Sequence, residues 1–545
     1  MHHDALRSQF HSGTHGWQSV YRGAEQHQAD VVLWQSRLHD IDGLTALGEE
    51  AQRSLNLSHG PLMRAVLAQL NDGSQRLLLV IHHLVVDGVS WRVLLEDLQT
   101  AYRQLTRGAA VVLPAKTSST RDWAQRLQQY AQGEALRLEL EGWQARLQGA
   151  EADLPGAKSD ASLSNRYAAS ATTHLDVPHT RRLLQDAPGA YRTQINDLLL
   201  TALARVIGRW TGHASTLIRL EGHGREDLFD DIDLTRTVGW FTSIYPVKLT
   251  PEQTLAGSLK GIKEQLRAIP DKGIGFGALR YLGQAPVREA MARLPQPRIT
   301  FNYLGQFDTS FEGREEQGLF APSGDAAGAD QSPEASLGNW LEINGQVYGG
   351  ELNMTWSFSQ DMFEPAIIQS LADAYADELK AVIEHCCQPE NIGATPSDFP
   401  LAGLNQAQLD GLSLPLSRVE DIYPLSPMQQ GMLFQSLYGQ GSGDYINQMR
   451  VDIQGLDVAR FQAAWQVAME HHAILRTAFL WQTEFGQPLQ VVHKSVDVPL
   501  VEHDWQHRVD CIEALDAMAE TIRAEGFVLE QAPLLSLVVV RTGPD

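Results

Sequence analysis

The nonapeptide HHDALRSQF at residues 2–10 returns as HHAILRTAF at residues 471–479, and GPLMRAVLAQL at 60–70 returns in weaker form as APLLSLVVVRT at 532–542. The offsets, 469 and 472 residues, are nearly equal. A chain that carries one supersecondary unit twice at such a distance cannot be a single core. The first copy is followed by IHHLVVDGVSW at 81–91, and the counterpart of that stretch would fall past residue 545. The second copy is preceded by DIYPLSPMQQGMLFQSL at 421–437, for which the first copy has no room. The chain therefore reads as a window on a longer multidomain protein, beginning late in one unit and ending early in the next. At about 100–200 residues per domain its length predicts three or four folding units, some of them lobes of one domain.

Between the copies the periodicity alternates in the α/β manner. QRLLLVIHH (75–83) predicts a buried strand, RVLLEDLQTAYRQL (92–105) an amphipathic helix, and 121–149 long helical sequence weakened at Gly133. ASATTHLDV (169–177) and STLIRLEGHG (215–224) predict strands, and Asn196 is the expected N-cap of DLLLTALARVIGRW. LEINGQVYGGELNMTWSFS (341–359) predicts a hairpin with Gly349-Gly350 at its tip. Residues 317–338 read as a mobile loop, and 364–386 as an amphipathic helix closing a domain.

IHHLVVDGVSW places His82, His83, Asp87 and Ser90 within ten positions at the end of an apolar run. Acid/base chemistry, a metal site and a strand end with polar punctuation are all compatible with that. Imidazole and carboxylate both bind zinc, but neighbours on a strand point to opposite faces, which argues against His82 and His83 gripping one ion together. Two core histidines would be the better reading of an isolated pair; the dense polar loop that follows weighs against it.

LEGHGRED (220–227) is the second candidate. Glu221 closes an apolar strand, and Gly222 and Gly224 let the backbone approach a ligand closely. A partly buried carboxyl is pushed toward the range useful for proton transfer, although a structural ion pair with Arg219 or Arg225 is the simpler account of Glu221 alone, and the same holds for His223. DLTRTVGWFTSIYPV (233–247) sets Gly239 before Trp240 and Phe241, a bent aromatic segment fit to wall a tunnel or to pack a core. ITFNYLGQFD (299–308) brings Asn302, Tyr303 and Gln306 to a strand end or turn. PDKGIGFGALRYL (270–282) is glycine-rich without the Gly-Lys-Ser/Thr of a phosphate loop, and neither a dinucleotide fingerprint nor a Gly-x-Ser-x-Gly elbow occurs; Ser90 has no activated-nucleophile setting. No bound cofactor and no metal are implied.

A formal charge of −23 disfavours nucleic acid and anionic membranes as main partners. Three cysteines, Cys386, Cys387 and Cys511, suggest a reduced protein. With no secretory h-region at the N-terminus and no apolar run long enough to cross a bilayer, a cytoplasmic location is expected.

Taken in order, HHLVVDGVSWR, LEGHGRE, DLTRTVGWFTSIYPV, KGIGFGALRYL and ITFNYLGQFD resemble the motifs of the epimerization domain of nonribosomal peptide synthetases, a member of the condensation-domain superfamily. The first alone is similar to that of peptide-bond-forming condensation domains; VSWR after the aspartate, together with EGHGRE and FNYLGQFD, points to epimerization. Residues 421–545 resemble the start of a following condensation domain, opening on YPLSPMQQGMLF. The resemblance implies an α/β fold like chloramphenicol acetyltransferase, two lobes in a V with a tunnel between, plus a partial third lobe. Residues 1–165 would be the N-terminal lobe, lacking its opening segment, 166–390 the C-terminal lobe, 391–420 a linker and 421–545 the truncated next domain.

The reaction implied is L-to-D epimerization of the α-carbon of an aminoacyl or peptidyl thioester. A thioester acidifies its α-proton, but removal at neutral pH needs a positioned base and enolate stabilisation. By resemblance His83 and Glu221 stand on opposite sides of that carbon, one removing the proton and the other returning one. His82 and Asp87 hold the loop, Gly88 keeps the tunnel open, and Ser90, Trp91 and Trp240 support the site. Asn302 with Tyr303 helps position the thioester or enolate. No cofactor is bound; the substrate rides on the 4'-phosphopantetheine of an upstream carrier domain, and the remainder of the synthetase is the downstream partner. Phe276 stands where the family often has tyrosine. The second unit lacks its own His-His-x3-Asp loop, so 421–545 cannot catalyse condensation. Two rivals stay open: a peptide-bond-forming condensation domain, which needs no Glu221, and a noncatalytic carrier-docking domain.

Overall fold

The computed structural model describes residues 2–14, 16–23, 29–306, 319–320, 323–438 and 445–543. The last two residues of ITFNYLGQFD, and positions 317–318 and 321–322 of the expected loop, lie outside them. The chain divides into two compact units, Met1–Ala187 with Gln194–Cys387, and Pro188–Thr193 with Gln388–Asp545. The fold is α/β with open mixed sheets, as expected. Among the described residues no helix is long and apolar enough to cross a membrane.

The first unit begins with a hairpin, β1 (Ser8–Gly13) and β2 (Gly16–Tyr21). A three-stranded sheet follows, β3 (Leu33–Leu38), β4 (Met63–Leu70) and β5 (Gln75–Ile81), with β4 central. β3 and β4 are parallel, and the helix Asp42–Arg53 makes the crossover such a pair requires. β5 is half-buried rather than buried, because one side of this sheet stays in contact with solvent. The six-stranded sheet has the order β6 (Ala168–Leu175), β11 (Glu351–Ser359), β10 (Leu341–Tyr348), β9 (Ile299–Gln306), β7 (Thr216–Gly222), β8 (Ser243–Leu249). Burial alternates throughout β10 and along most of β11, while β7 and β9 open on runs of three buried residues. Ile218 and Leu220 of β7, Phe301 of β9, Ile343 of β10 and Trp356 of β11 are buried on one side, with the helices Ile195–Thr211 and Pro365–Cys386 supplying further core. Arg219, Glu221, Thr300, Asn302, Glu342 and Asn344 fall on the other. This period-two pattern leaves one sheet face polar where Glu221, near the end of β7, and Asn302 stand; Asn302 lies in the middle of β9 and not at the strand end or turn expected, because β9 runs on to Gln306 beside β10.

Several local expectations hold and some shift. The hairpin β10–β11 turns at Gly349 and Gly350, both at positive φ, as a two-residue turn matched to strand twist demands. The helical stretch near 121–149 breaks where Gly133 predicted, into Thr120–Ala131, Glu134–Arg137 and Glu139–Leu147. Phe276 packs edge-on against the buried Trp143, ring centroids 5.0 Å apart. The N-cap of Ile195–Thr211 is Gln194, not Asn196: Gln194 and Asp197 close a capping box, which places Asn196 inside the first turn. The described part of the 317–338 segment is irregular but held, Asp325 pairing with Arg76 at 2.5 Å and Ala327 O accepting from Gln52 Nε2 at 3.1 Å.

The second unit repeats the opening of the first. A 3-10 turn, Ala473–Arg476, leads into β13 (Thr477–Leu480), as Asp4–Arg7 leads into β1. The parallel pair β15 (Leu500–Asp504) and β16 (Leu537–Arg541) flanks the helix Cys511–Glu525, as β3 and β4 flank Asp42–Arg53. Here the hairpin strand β14 (Leu489–His493) is covered by β12 (Val419–Pro424). By the repeat register Val491 corresponds to Val20; the former is 0% exposed and the latter 52%. Residues 391–420, expected as a linker, contribute Ala394, Phe399, Ala402, Leu404, Leu409 and Leu412 to the core of this unit. Their apolar side chains are spaced too irregularly for one helix or strand, which is why they looked like a connector.

Candidate active site

β5 ends at Ile81, and the chain tightens into a 3-10 turn, His83–Val85. His82 caps that turn, its Nδ1 accepting from the Leu84 N–H at 3.2 Å. An accepting Nδ1 carries no proton, and burial, then the neighbouring His83, holds the His82 imidazole below its usual pKa. His82 is thus a neutral structural group. His83 points the other way, exposed, with its ring 4.7 Å from that of Trp240, itself 47% exposed.

Asp87 caps the helix Gly88–Thr106, Oδ1 accepting from the Ser90 N–H at 2.8 Å. The same carboxylate accepts from Arg225 at 2.9 and 3.0 Å and from the Phe241 N–H at 3.2 Å. Ser90, fully buried, donates to Gly239 O at 2.9 Å and accepts from Arg225 at 3.0 Å. Arg225 also donates to Leu234 O and Thr237 O and lies over the Phe241 ring at 4.3 Å. This hub stitches the His-His loop to the segment that leaves β7. Asp87 and Ser90 are spent on it, which leaves neither free as a base or nucleophile. Gly88 is exposed with open space where a Cβ would stand, and Trp91 is half-buried behind it.

Glu221 is the last side chain of β7 before Gly222. One step beyond the last paired position, Leu220 with Phe301, it meets Asn302 on β9, whose Nδ2 donates to Oε2 at 3.2 Å. Burial pushes the Glu221 carboxyl above the usual carboxylate range; Arg219 pulls it down, Glu342 pushes it up, and the nearby His83 pulls it down. The ion pair that could have explained Glu221 away does not form with Arg225, which belongs to Asp87, and Arg219 instead donates to Thr300 Oγ1 at 2.9 Å and to Gly338 O at 2.7 Å. Tyr303 alternates to the opposite face, opposite Gly345, where burial raises its phenol to about 12. The structure therefore brings together His83, Trp240, Glu221 and Asn302, and separates Tyr303 from them.

Sequence reasoning missed the role of Arg225 and the half-buried Glu342, whose carboxyl burial also raises, with Arg219 opposing it. Polar alternation in LEINGQ could have flagged Glu342; nothing in the sequence pairs Arg225 with a residue 138 positions away. Among the described residues the His/Cys/Asp/Glu group close enough to share an ion is His2, His3 and Asp97. Asp97 there already accepts from His3 at 2.8 Å and from Arg236 at 2.5 Å.

Gly224 fixes the exit of the loop. Its φ is +65°, and a Cβ would stand 1.6 Å from Phe241 O. Gly224→Ala is expected to cost about 1–3 kcal/mol, through backbone strain and the forced shift of Phe241, read as a lower unfolding midpoint. A midpoint equal to the parent's would show that the loop has slack.

Comparison with known proteins places the chain in a family. The family described as "Condensation domain" matches residues 1–402 and 419–545. A linear gramicidin synthase from Brevibacillus parabrevis is 42% identical over 551 residues, 99% of this chain and 11% of that protein. A mycosubtilin synthase from Bacillus subtilis is 38% identical over 557 residues, 100% of this chain and 21% of that protein. The chain thus spans a small part of the relatives it matches. Among solved structures, the epimerization domain from the third module of tyrocidine synthetase B is 38% identical with a TM-score of 0.66, covering 71% of this chain and 86% of that one. The X-domain from teicoplanin biosynthesis, 19% identical with a TM-score of 0.55 over 71% of this chain and 85% of that one, shares the fold. With its two matched segments reaching across both units, the chain belongs to the condensation-domain family.

Proposed function

We propose that the first unit epimerizes the α-carbon of an aminoacyl or peptidyl residue held as a thioester on the phosphopantetheine arm of a carrier domain, converting L to D. The observation that carries this reading is Glu221: a desolvated carboxyl, held by Asn302, within electrostatic reach of an exposed histidine from another loop. Two groups of that kind on either side of a carbon can remove a proton from one face and deliver one to the other. The Asn302 amide that donates to Glu221 keeps the carboxyl aimed, and Trp240 packs beside the His83 ring. No cofactor is needed, because the thioester itself stabilises the enolate. The carrier domain is the partner, the cytoplasm the setting, and residues 421–545 the beginning of a condensation domain that would accept the D-configured product.

The test is incubation with an L-aminoacyl-carrier thioester in deuterated water, followed by analysis of the released amino acid. D-product bearing α-deuterium supports epimerization. L-product without exchange, in a folded chain offered several carriers, removes it, and amide formation with an added acceptor amine would favour the condensation rival. The pH profile is a second expectation. Because burial raises the Glu221 pKa, the exchange rate will show a limb above the ordinary carboxylate range of about 4.3. A limb rising with pH assigns Glu221 as the base, and a falling one as the acid; a profile flat through that range would disconnect Glu221 from the reaction.

A further inference from the structure

We propose that the Pro270–Gly273 turn is a positioning device for the strand end that carries Glu221, acting through Lys272. This rests on the catalytic reading above. Asp271 and Lys272 adopt left-handed backbone, φ/ψ 43/39 and 47/36, and Gly273 follows at φ +82. Side-chain-bearing residues visit that region singly, because their Cβ crowds the next carbonyl, so two in succession need a surrounding structure that insists on them.

What insists is visible on both sides of the turn. A Cβ on Gly273 would stand 2.1 Å from the ring of Tyr245, so the turn is seated directly on β8, whose Tyr245 pairs with Leu220. Asp271 accepts from the Tyr130 hydroxyl at 3.4 Å. Thus oriented, Lys272 reaches Glu226 with Nζ 3.0 Å from Oε2, and Glu226 in turn holds His223 at 3.2 Å. The Lys272 carbonyl lies 3.7 Å from the place a Cβ on Gly222 would occupy.

Glu226 and His223 belong to the five-residue segment that follows Glu221. Arg225 within that segment is anchored on the opposite flank, in the hub with Asp87. The exit from β7 is therefore clamped twice: Arg225 ties it to the loop of His83, and Lys272 ties it to β8. The Lys272 side chain is 65% exposed while Glu226 is 14% exposed, so this ion pair is a weak contributor to stability. A strained turn that presents a largely exposed lysine to a loop beside a desolvated carboxyl is better explained by geometry at Glu221 than by folding.

The experiment measures α-deuterium exchange and melting for the full chain and four variants: Lys272→Met, Lys272→Arg, Glu226→Gln and Lys272→Met with Glu226→Gln. Displacing an acid/base group by a fraction of an ångström is expected to lower kcat about tenfold in Lys272→Met, with KM for the carrier thioester and the melting temperature near the parent values. Lys272→Arg should keep most of the rate, and the double variant should be no slower than the slower single one. Parent-like exchange in Lys272→Met, losses that multiply in the double variant, or an effect on KM alone would overturn the proposal while leaving the catalytic reading intact. A parent chain with no exchange would remove the catalytic reading, and this proposal with it.

Discussion

Glu221→Gln is expected to give a folded chain, at least as stable as the parent at neutral pH, in which α-proton exchange falls by about 10²–10⁴-fold, the usual contribution of a positioned acid or base. The sign of the stability change follows from burial. A carboxyl whose folded pKa is raised favours folding fully only below its unfolded pKa, near 4.3, and that contribution is lost as pH rises through the folded value. Above the ordinary carboxylate range the desolvated Glu221 carboxyl therefore weighs against folding, and glutamine removes that cost while still accepting from Asn302. His83→Ala should lose exchange to a similar extent with little change in melting, because His83 is exposed and its ring contact is with a half-exposed Trp240. Loss of activity with gain or retention of stability separates a catalytic carboxyl from a structural one. Exchange within about threefold of the parent in either variant would refute the assignment, since general catalysis contributes far more than that.

Arg225→Met is expected to produce the opposite pattern, a large loss of stability. The guanidinium side chain is 6% exposed and its partner Asp87 5%, so the substitution strands a buried carboxylate whose remaining donors are two backbone N–H groups. Breaking a buried pair from one side costs about 3–5 kcal/mol. Leu234 O and Thr237 O lose their donor at the same time. Asp87→Asn added to Arg225→Met should recover part of the loss, because a neutral amide no longer needs a cation. Denaturant midpoints of the first unit's transition measure this. An Arg225→Met midpoint within about 1 kcal/mol of the parent would show that water satisfies Asp87 and that the hub does not hold the two loops together.

Much of this candidate site was legible in the sequence. The apolar run of STLIRLEGHG put Glu221 at a strand end, ITFNYLGQFD announced the strand of Asn302 although not that it continues to Gln306, and the polar density after HHLVVDG separated that loop from an ordinary core segment. The strand read through His83 ends at Ile81, so the two histidines part at a 3-10 turn that His82 caps and not by strand alternation. The repeat of HHDALRSQF reappeared as the same turn-strand unit in each half. Where reading failed, the cause was packing. Residues 391–420 looked like a connector because their apolar residues follow no single period, yet their environment is the core of the second unit. Asn196 is the better N-cap by composition, and only the closing of a box between Gln194 and Asp197 overrides it.

The sequence by itself determined which chemical groups were available, which strands would bury one face, and that one turn-strand unit occurs twice, because propensity, periodicity and repetition are local properties. Tertiary structure alone decided which partner each charge took. Asp87 and Arg225 are 138 residues apart, Glu221 and Asn302 are 81, and Lys272 meets Glu226 across a turn whose backbone no propensity favours. Long-range pairing is set by strand order and loop closure, and a carboxylate becomes a base or a brace according to what the fold places beside it.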